Sequence, residues 1–368
     1  MATTPYDSYN GPLWRVQLQY EPDRRCSEPD LESSFPYEYT LLIGTHHGIT
    51  DGHSKHMKIA LLLNLLNDVI DGKPITDDQY GFISDSSETT QLVKEREEEF
   101  RLNPDLFAKV KEEYEKLEQV QVLWDKVSGN FGSDQPRNLH ITRVLDAETN
   151  SKLYNKFKSL GASFHAGFCS AVDVAIVEML KKSGFDQPVY TISGFHSVNS
   201  RRFWKNPDKD FAFGNNYGTF AVPMDLQRDV KANMDDYIKE YHSKLLSYIK
   251  DKRTIDDIIF SSSKEDENGV PMTINDYMND LPSPSFYYLS SNMRDVTSLL
   301  GKGGDHVQLT WLTRSTSIQN FNYPCLFMFH TYRGKLMVGF DYNTRYMSTA
   351  VAKEFLDLIF DILKDFVK

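Results

Sequence analysis

The sequence predicts an α/β fold large enough for two lobes, and three observations support this prediction. Short apolar runs typical of strands alternate with longer runs that have helical periodicity. The chain has 368 residues, enough for two domains of ordinary size or for one large two-lobed unit. A polar, charge-rich stretch over residues 76–137 separates two parts of the chain that are richer in apolar residues.

The composition is that of a globular protein, with 40% hydrophobic and 25% charged residues. A net charge of −11 without any tract of lysine and arginine argues against nucleic acid as a partner. Every long apolar run is interrupted by charges, so no membrane span is expected. The N-terminus lacks an apolar signal core, and the cysteines Cys26, Cys169 and Cys325 are dispersed, so we expect a cytoplasmic protein.

The first apolar part predicts two strands and a helix. Residues 13–20 alternate between apolar and polar side chains, as in a half-buried strand, and residues 39–44 indicate a buried strand. The two form a hairpin or lie as neighbours in one sheet. Residues 53–70 are apolar on more than one face, which predicts a largely buried helix, and Gly72 and Pro74 end it.

The joint between this second strand and the helix carries the candidate chemistry. It contains two imidazoles, His46 and His47, at the carboxyl end of the strand, where α/β proteins commonly place reactive groups. A neutral imidazole with a pKa near 6.5 can accept a proton at physiological pH. Gly48 would let the backbone turn beneath it, and Gly52 would allow close backbone approach. Asp51 fits as the N-cap of the helix or as the partner of a distant arginine.

Two other interpretations of this joint stay open. A histidine pair at a strand end can be purely structural. A metal site could draw on the histidines and the aspartate of this region, but no cysteine pair is near and the spacing fits no zinc pattern, so we predict none. The ligand types in question are His46, His47, Asp51, His53 and His56.

The remainder of the chain predicts further strands and helices. Two helices are expected near 90–102 and 104–126, with the charge run 94–99 on a solvated face. Strands are predicted at 139–145, 188–195, 286–293, 307–313 and 323–332, the last forming a hairpin with 335–342 through Gly334. Helices are predicted at 146–160, 163–180, 230–250 and 349–367, and the second of these should be buried.

Residues 46–52 match the HHxxxDG motif of the acyltransferase superfamily related to chloramphenicol acetyltransferase, which includes condensation domains and alcohol acetyltransferases. Further matches lie downstream. Asn199-Ser200-Arg201 resembles the Asn-x-Arg element that ends a strand in the superfamily, and residues 214–218 resemble its Gly-Asn-x-x-Gly turn. Ser291-Asn292 resembles the Ser-Asn turn of alcohol acetyltransferase relatives, although Arg294 stands where those relatives have a small residue. The resemblance runs from about Leu13 to the C-terminus.

The resemblance implies two chloramphenicol-acetyltransferase-like lobes of α/β type with an active-site tunnel between them. The first lobe would be truncated, because only 45 residues precede the motif and family members have a longer segment there. The chain would thus be an incomplete gene product or a shortened member. The expected division is an N-terminal lobe over 1–80, a polar helical crossover over 81–137 and a C-terminal lobe over 138–368.

The resemblance also implies an acyltransferase. An acyl group would pass from a thioester, on coenzyme A or a carrier protein, to an alcohol or amine acceptor, with His47 as the general base and no tightly bound cofactor. His46 and Asp51 would hold the loop, Gly52 would let it close, and Arg201 would be a structural cation rather than an ordinary surface one. Substrate contacts are assigned, more weakly, to Asn199, Asn215 and Asn292, the last of which could instead cap a turn. The alternatives are a non-catalytic binding relative and, third, a thioester hydrolase.

Overall fold

The computed structural model describes most of the chain. The end of the predicted crossover segment lies outside the described residues, as do residues 263–283 and parts of the segment 21–36. Of residues 21–24 only the backbone is described. The described residues are 4, 6–7, 9–26, 28, 31–32, 34–85, 87–128, 136–206, 208–262, 284–319 and 321–368.

The first part of the chain opens with a two-stranded antiparallel ribbon, so the predicted hairpin is confirmed. Strand β1 (Trp14–Arg25) pairs with β2 (Tyr37–Thr45) in a register that sets Trp14 opposite Thr45. The prediction of a buried second strand was wrong, because Leu41 is 39% and Ile43 43% exposed. Within the described residues no third strand joins the ribbon, and apolar side chains on its faces, such as Val16 and Leu18, are 50% and 63% exposed.

Helix α1 (Gly52–Ile70) follows the ribbon and packs through one face only. Its Ile59 contacts a small cluster built on Val296 and Tyr332. The prediction of a largely buried helix was wrong, because Leu66, Val69 and Ile70 on the other side are 38–54% exposed. The apolar composition correctly predicted a helix here, but the burial of that helix depends on which neighbouring elements cover it.

The described residues in the middle of the chain, between α1 and the main sheet, form one short strand and three helices. A two-residue strand, β3 (Phe82–Ile83), is followed by α2 (Ser87–Leu102), α3 (Pro104–Glu118) and α4 (Trp124–Ser128). The predicted helix 104–126 is therefore split, because Trp124 is buried and its Nε1 donates to the Tyr287 carbonyl, 3.0 Å away. The charge run 94–99 is solvated apart from the buried Arg96, whose Nε donates to Asp256.

The main structural unit is a six-stranded sheet in the second half of the chain. Its strand order is β4-β10-β9-β8-β5-β7, and β8 runs parallel to both of its neighbours while the other pairs are antiparallel. The strands are β4 (Asn138–Leu145), β5 (Val189–Asn199), β7 (Tyr217–Gln227), β8 (Tyr288–Asp295), β9 (Cys325–Tyr332) and β10 (Lys335–Asn343). A short strand, β6 (Ala212–Phe213), pairs with β3 instead.

Helices cover this sheet and form the main core with it. The central one, α6 (Phe164–Lys182), has 14 of its 19 residues buried, which confirms the predicted buried helix. It packs against the last helix, Thr349–Asp365, and against the helix Met234–Lys250. The helices of this half are α5 (Ala147–Ser159), α6, α7 (Met234–Lys250), α8 (Arg253–Ser262), α9 (Thr297–Leu300) and α10 (Thr349–Asp365).

The predicted strand at 307–313 is absent from this described region, where the chain runs irregularly beside α1. The Asn67 side chain takes the place of a strand partner: its Oδ1 accepts from the backbone N–H groups of His306 and Val307. The neighbouring prediction of a hairpin between β9 and β10 is confirmed, with Arg333 and Gly334 at positive φ in its turn.

From the apolar runs of the sequence, no membrane span was expected. Among the described residues, no single helix combines the length and apolarity that crossing a bilayer requires. Helices α5 and α6 would meet the requirement only as a pair, and they are bent by 100° relative to each other.

Candidate active site

A large cavity lies where the first part of the chain meets the main sheet. Its volume is about 950 Å³. Its walls come from the end of β2, the first turns of α1, helix α3, strands β5, β7 and β8, and the irregular segment 312–323. Apolar side chains supply much of the lining, as is common for pockets that hold small molecules.

The imidazole of His47 is part of the cavity wall. The residue begins a short 3-10 turn directly after β2 and is half-buried. Its ring lies 5.1 Å, centroid to centroid, from the ring of Tyr217 at the start of β7. Burial lowers the pKa of His47 and the charge of Lys55 lowers it further, so the neutral, proton-accepting form predominates at neutral pH.

The preceding residues hold the turn that presents His47. His46 caps the turn, and its Nδ1 accepts a hydrogen bond from the backbone N–H of Gly48 at 3.1 Å. A Cβ atom on Gly48 would lie 3.0 Å from that nitrogen. Gly48 is not among the residues at positive φ, so the expected need for a special backbone conformation was wrong. A side chain at position 48 would therefore meet the His46 ring, which would have to shift by a few tenths of an ångström to admit it.

Asp51 anchors the other end of this loop. It is the N-cap of α1 and is 3% exposed. Its carboxylate accepts from the backbone N–H groups of Ser54 and Asn216, each at 2.8 Å, and from Arg201 Nη1 at 2.7 Å. Burial alone would raise the pKa of Asp51, but the Arg201 charge and these hydrogen bonds hold it below its usual range, so the carboxylate is ionised.

Arg201 completes this anchor from the opposite part of the chain. It is 1% exposed, and each of its five N–H groups has an acceptor. Those acceptors are the Asp51 carboxylate, Ser54 Oγ, Asn199 Oδ1 and, twice, the Ala212 carbonyl. The side chain therefore ties the loop after β2 to the ends of β5 and β6.

The other residues singled out from the sequence also border the cavity. Asn199 uses its Oδ1 to hold Arg201, and Asn215 lines the cavity beside the anchor. Asn292 lines the cavity as well, and its Oδ1 accepts from the Arg294 backbone N–H at 2.7 Å, which is the turn-capping bond considered as an alternative. At Gly52, an added Cβ would lie 2.9 Å from Met293 Sδ, so glycine lets α1 approach β8.

Among the cavity residues that were not identified from the sequence, three bear on the chemistry of the site. Tyr217 is the aromatic neighbour of His47, while Lys55 and Arg314 bring two cations to the wall. A lysine within the first turns of an otherwise apolar helix was a usable signal for Lys55. The sequence contains no comparable signal for Arg314. This residue approaches Gly52, at the start of α1, although 262 positions separate the two in the chain (314 minus 52). It also follows directly on residues 307–313, which were predicted to form a strand.

The ligand types considered for a metal site do not converge. His53 Nε2 bonds to the Asp210 carbonyl, His56 Nδ1 bonds to the Gly52 carbonyl, and Asp51 is held by Arg201. Among the described residues, the group that does come together is His165, Cys169 and His196 in the core. Hydrogen bonds account for that group, since His196 Nδ1 lies 3.0 Å from His165 Nε2 and 2.7 Å from Ser290 Oγ.

Comparisons with known proteins identify the fold. No protein-family model matches the chain, and no curated protein matches its sequence. Solved structures do match. The trichothecene 15-O-acetyltransferase TRI3 from Fusarium sporotrichioides aligns with a TM-score of 0.62 and 12% identity over 97% of this chain and 70% of that one. The condensation domain of the Monacolin K polyketide synthase MokA aligns with a TM-score of 0.56 and 12% identity, covering 90% and 70%.

The first condensation domain of the CDA synthetase also matches, with a TM-score of 0.54 and 13% identity, covering 89% of this chain and 64% of that one. The chain thus spans about two thirds of the length of these structures. The α/β fold of condensation domains and chloramphenicol-acetyltransferase-like acyltransferases, expected from the motif, is therefore confirmed. At these identities the similarity establishes the fold alone.

Proposed function

We propose that this chain, which has the fold of condensation domains and of an acetyltransferase, is itself an acyltransferase that uses His47 as its general base. The observation that carries the proposal is the position of the His47 imidazole. It is neutral, it lines a cavity of about 950 Å³, and its loop is fixed at Asp51 by a buried ion pair. A general base needs these three properties: the acceptor form, room for a substrate, and a fixed orientation.

In the proposed reaction the donor is an acyl thioester, on coenzyme A or on a carrier protein, and the acceptor is an alcohol or amine. A free ring nitrogen of His47 takes the acceptor proton as the acceptor oxygen or nitrogen attacks the thioester carbonyl. The tetrahedral intermediate collapses, the C–S bond breaks, and the imidazolium returns the proton to the departing thiolate. No acyl-enzyme intermediate is involved, so no nucleophilic serine or cysteine is needed.

The ion pair supports this reaction without touching the substrates. Asp51 and Arg201 hold the loop that ends in α1, and the His46 ring holds the turn from within. A base displaced by about 1 Å can lose on the order of a hundredfold in rate, so such fixation matters for turnover. We therefore assign Asp51, Arg201 and His46 positioning roles and reserve the proton transfer for His47.

The test follows free thiol released from a panel of acyl-coenzyme A donors, with and without alcohol and amine acceptors. Release that requires an acceptor is expected. His47→Ala should reduce it by roughly 10²- to 10⁴-fold, the usual contribution of a general base. His242→Ala serves as a matched control, because that half-buried histidine lies on α7 outside the cavity.

Other outcomes would replace the proposal. Release that is independent of acceptor would identify a thioester hydrolase, and binding of donor without any release would identify a binding module. Unchanged turnover in His47→Ala would show that His47 is not the general base, whichever substrates are used.

A further inference from the structure

Two half-buried cations in the cavity wall have no anionic partner among the described residues. Lys55 is half-buried on the second turn of α1, and its ammonium group makes no hydrogen bond or ion pair with any residue of the described ranges. Arg314 is half-buried in the irregular segment opposite. Its hydrogen bonds go to Ser291 Oγ at 3.3 Å, to the Ser291 carbonyl at 2.8 Å and to the Phe329 carbonyl at 3.2 Å, all of them neutral acceptors.

The nearby carboxylates are already engaged elsewhere. Asp51 acts on Lys55 electrostatically but is held by Arg201 and two backbone amides. Asp341 acts on Arg314, but its oxygens accept from Ser315 Oγ at 2.7 Å, from the Thr316 backbone N–H at 2.9 Å and from two further side chains. Neither carboxylate can turn toward the cations without abandoning several hydrogen bonds.

The cations also disfavour each other. Burial lowers the pKa of Lys55 and the Arg314 charge lowers it further, while burial lowers the pKa of Arg314 to about 10. The neighbouring imidazoles do not relieve this, because burial lowers the pKa of His56 to about 4 and that of His330 to about 3, which leaves both neutral. Keeping like charges together in a half-buried wall costs stability unless something anionic joins them.

We propose that Lys55 and Arg314 bind a carboxylate carried by one of the two substrates of the proposed acyl transfer. This inference rests on the proposed function for the identity of those substrates. The cavity that the cations line also has apolar wall residues, including Ile59, Met293 and Leu312, so the preferred ligand joins a carboxylate to an apolar body. An arginine and a lysine together are suited to such a group, since hydrogen bonds between charged partners are the strong ones.

The site is near enough to His47 to belong to the same substrate-binding region. Lys55 lies one helical turn beyond Asp51 and acts on the pKa of His47. Arg314 Nη1 would lie 3.5 Å from a Cβ atom on Gly52, at the start of the same helix. The carboxylate can therefore be on the acceptor, as in a hydroxy acid or an amino acid, or at the far end of the acyl chain, as in a dicarboxylic acyl thioester.

The first experiment measures binding without turnover. Isothermal titration of the full chain with 4-phenylbutyrate is compared with titration of its neutral amide, 4-phenylbutanamide. The acid should bind more tightly, and Arg314→Met or Lys55→Met should weaken it roughly ten- to hundredfold, the factor that a charged hydrogen bond contributes. Binding of the amide should change little. Arg143→Met is the matched control, since that arginine pairs with Asp357 away from the cavity.

Arg314→Lys provides a conservative comparison that keeps the charge and should retain part of the preference. Urea unfolding of each variant establishes that it is folded. Equal affinity of the wild-type protein for acid and amide, or a preference for the acid that both methionine variants retain, would overturn the inference.

The second experiment locates the carboxylate and separates this inference from the proposed function. Succinyl-coenzyme A is compared with butyryl-coenzyme A on a neutral alcohol, and 6-hydroxyhexanoate is compared with its methyl ester using acetyl-coenzyme A. In one of the two pairs the charged member should react faster than the neutral one, and the ratio of their rates should fall in Arg314→Met. That pair identifies the substrate that carries the carboxylate. Thiol release from neither pair, combined with selective binding of phenylbutyrate, would contradict acyl transfer and leave the carboxylate site standing. Thiol release from both pairs, with equal rates for the charged and neutral members, would support acyl transfer and contradict the carboxylate site.

Discussion

Arg201 and Arg314 approach the same helix start from different parts of the chain, and their surroundings differ in kind. Arg201 has an acceptor for every N–H group and a carboxylate at 2.7 Å. Arg314 has three neutral acceptors, and its charged neighbours are Lys55 and Asp341, a carboxylate whose oxygens are held by other donors. The first arrangement stabilises the folded chain, and the second is complete only when a ligand supplies the missing anion.

This difference separates two uses of a buried cation. A buried ion pair contributes little over an apolar pair of the same volume, but removing one partner is costly because the other charge remains. The Asp51–Arg201 pair therefore fixes the loop geometry. A buried cation without a partner destabilises the unliganded protein, and binding of an anion removes that destabilisation. Such a conflict between function and stability is expected at a binding site.

The largest expected effect is on stability. Arg201→Met should lower the free energy of unfolding by roughly 3–5 kcal/mol, because it leaves the ionised Asp51 buried without its partner. Arg314→Met should change it by less than about 1 kcal/mol, since three hydrogen bonds to neutral groups are lost while a repulsion is relieved. Urea unfolding of both variants measures the two values.

A double variant sharpens this comparison. Asp51→Asn combined with Arg201→Met should be less destabilised than the sum of the single variants, because no unpaired charge remains. If Arg314→Met proved as destabilising as Arg201→Met, Arg314 would be a structural cation like Arg201, and the contrast between them would be lost.

How far the sequence predicts this site depends on the distance along the chain over which each contact acts. The loop from His46 to Gly52 is local, and the Asn199-Ser200-Arg201 element resembles one that ends a strand in the acyltransferase superfamily, so that resemblance offers Arg201 as the distant arginine for Asp51. Arg314 belongs to no matched element. It reaches the loop from an irregular segment held by Asn67, and no periodicity indicates such a path.

The fold shows the same division. Strand and helix types followed from the apolar patterns, including the buried α6 and the hairpin at Gly334. Burial of β2 and α1 did not follow, because an apolar pattern records what an element could bury and not which neighbours are present to cover it.

The second effect concerns the pH dependence of turnover. Burial and the Lys55 charge both lower the pKa of His47, so its proton-accepting form persists to lower pH than for an ordinary histidine. Lys55→Met removes one of these causes, and the acid limb of kcat/KM should therefore move to higher pH, by less than about one unit, since burial still acts. The other charged or titratable groups that act on His47 are His46 and Asp51, and both are unchanged in the variant.

Neutral substrates are required for this profile, so that loss of a carboxylate contact does not mix with the shift. Lys73→Met, which removes an exposed lysine paired with Asp68, is the control and should leave the acid limb in place. A shift toward lower pH in Lys55→Met would mean that Lys55 does not act on His47 as a positive charge.

The smallest expected effect is at Gly52, which sits between the two arginines. An added methyl group would lie 2.9 Å from Met293 Sδ and 3.5 Å from Arg314 Nη1, and the first of these is the end of a flexible side chain that can move. Alanine is favoured over glycine by about 0.5–1 kcal/mol in the middle of a helix, which sets an upper bound on any gain at this first helical position. Gly52→Ala should therefore change the free energy of unfolding by less than about 1 kcal/mol.

Gly218→Ala offers the contrasting case, because its Cβ would lie 2.1 Å from Thr254 Cγ2, where β7 meets α8. Overpacking of that kind costs typically 1–3 kcal/mol. Urea unfolding of the two variants thus compares a glycine whose neighbour can move with one whose neighbour is fixed in the core. If Gly52→Ala lowered the free energy of unfolding by more than about 2 kcal/mol, the neighbours on the Arg314 side of the helix start could not move. That side would then be as rigid as the side held by the Asp51–Arg201 pair.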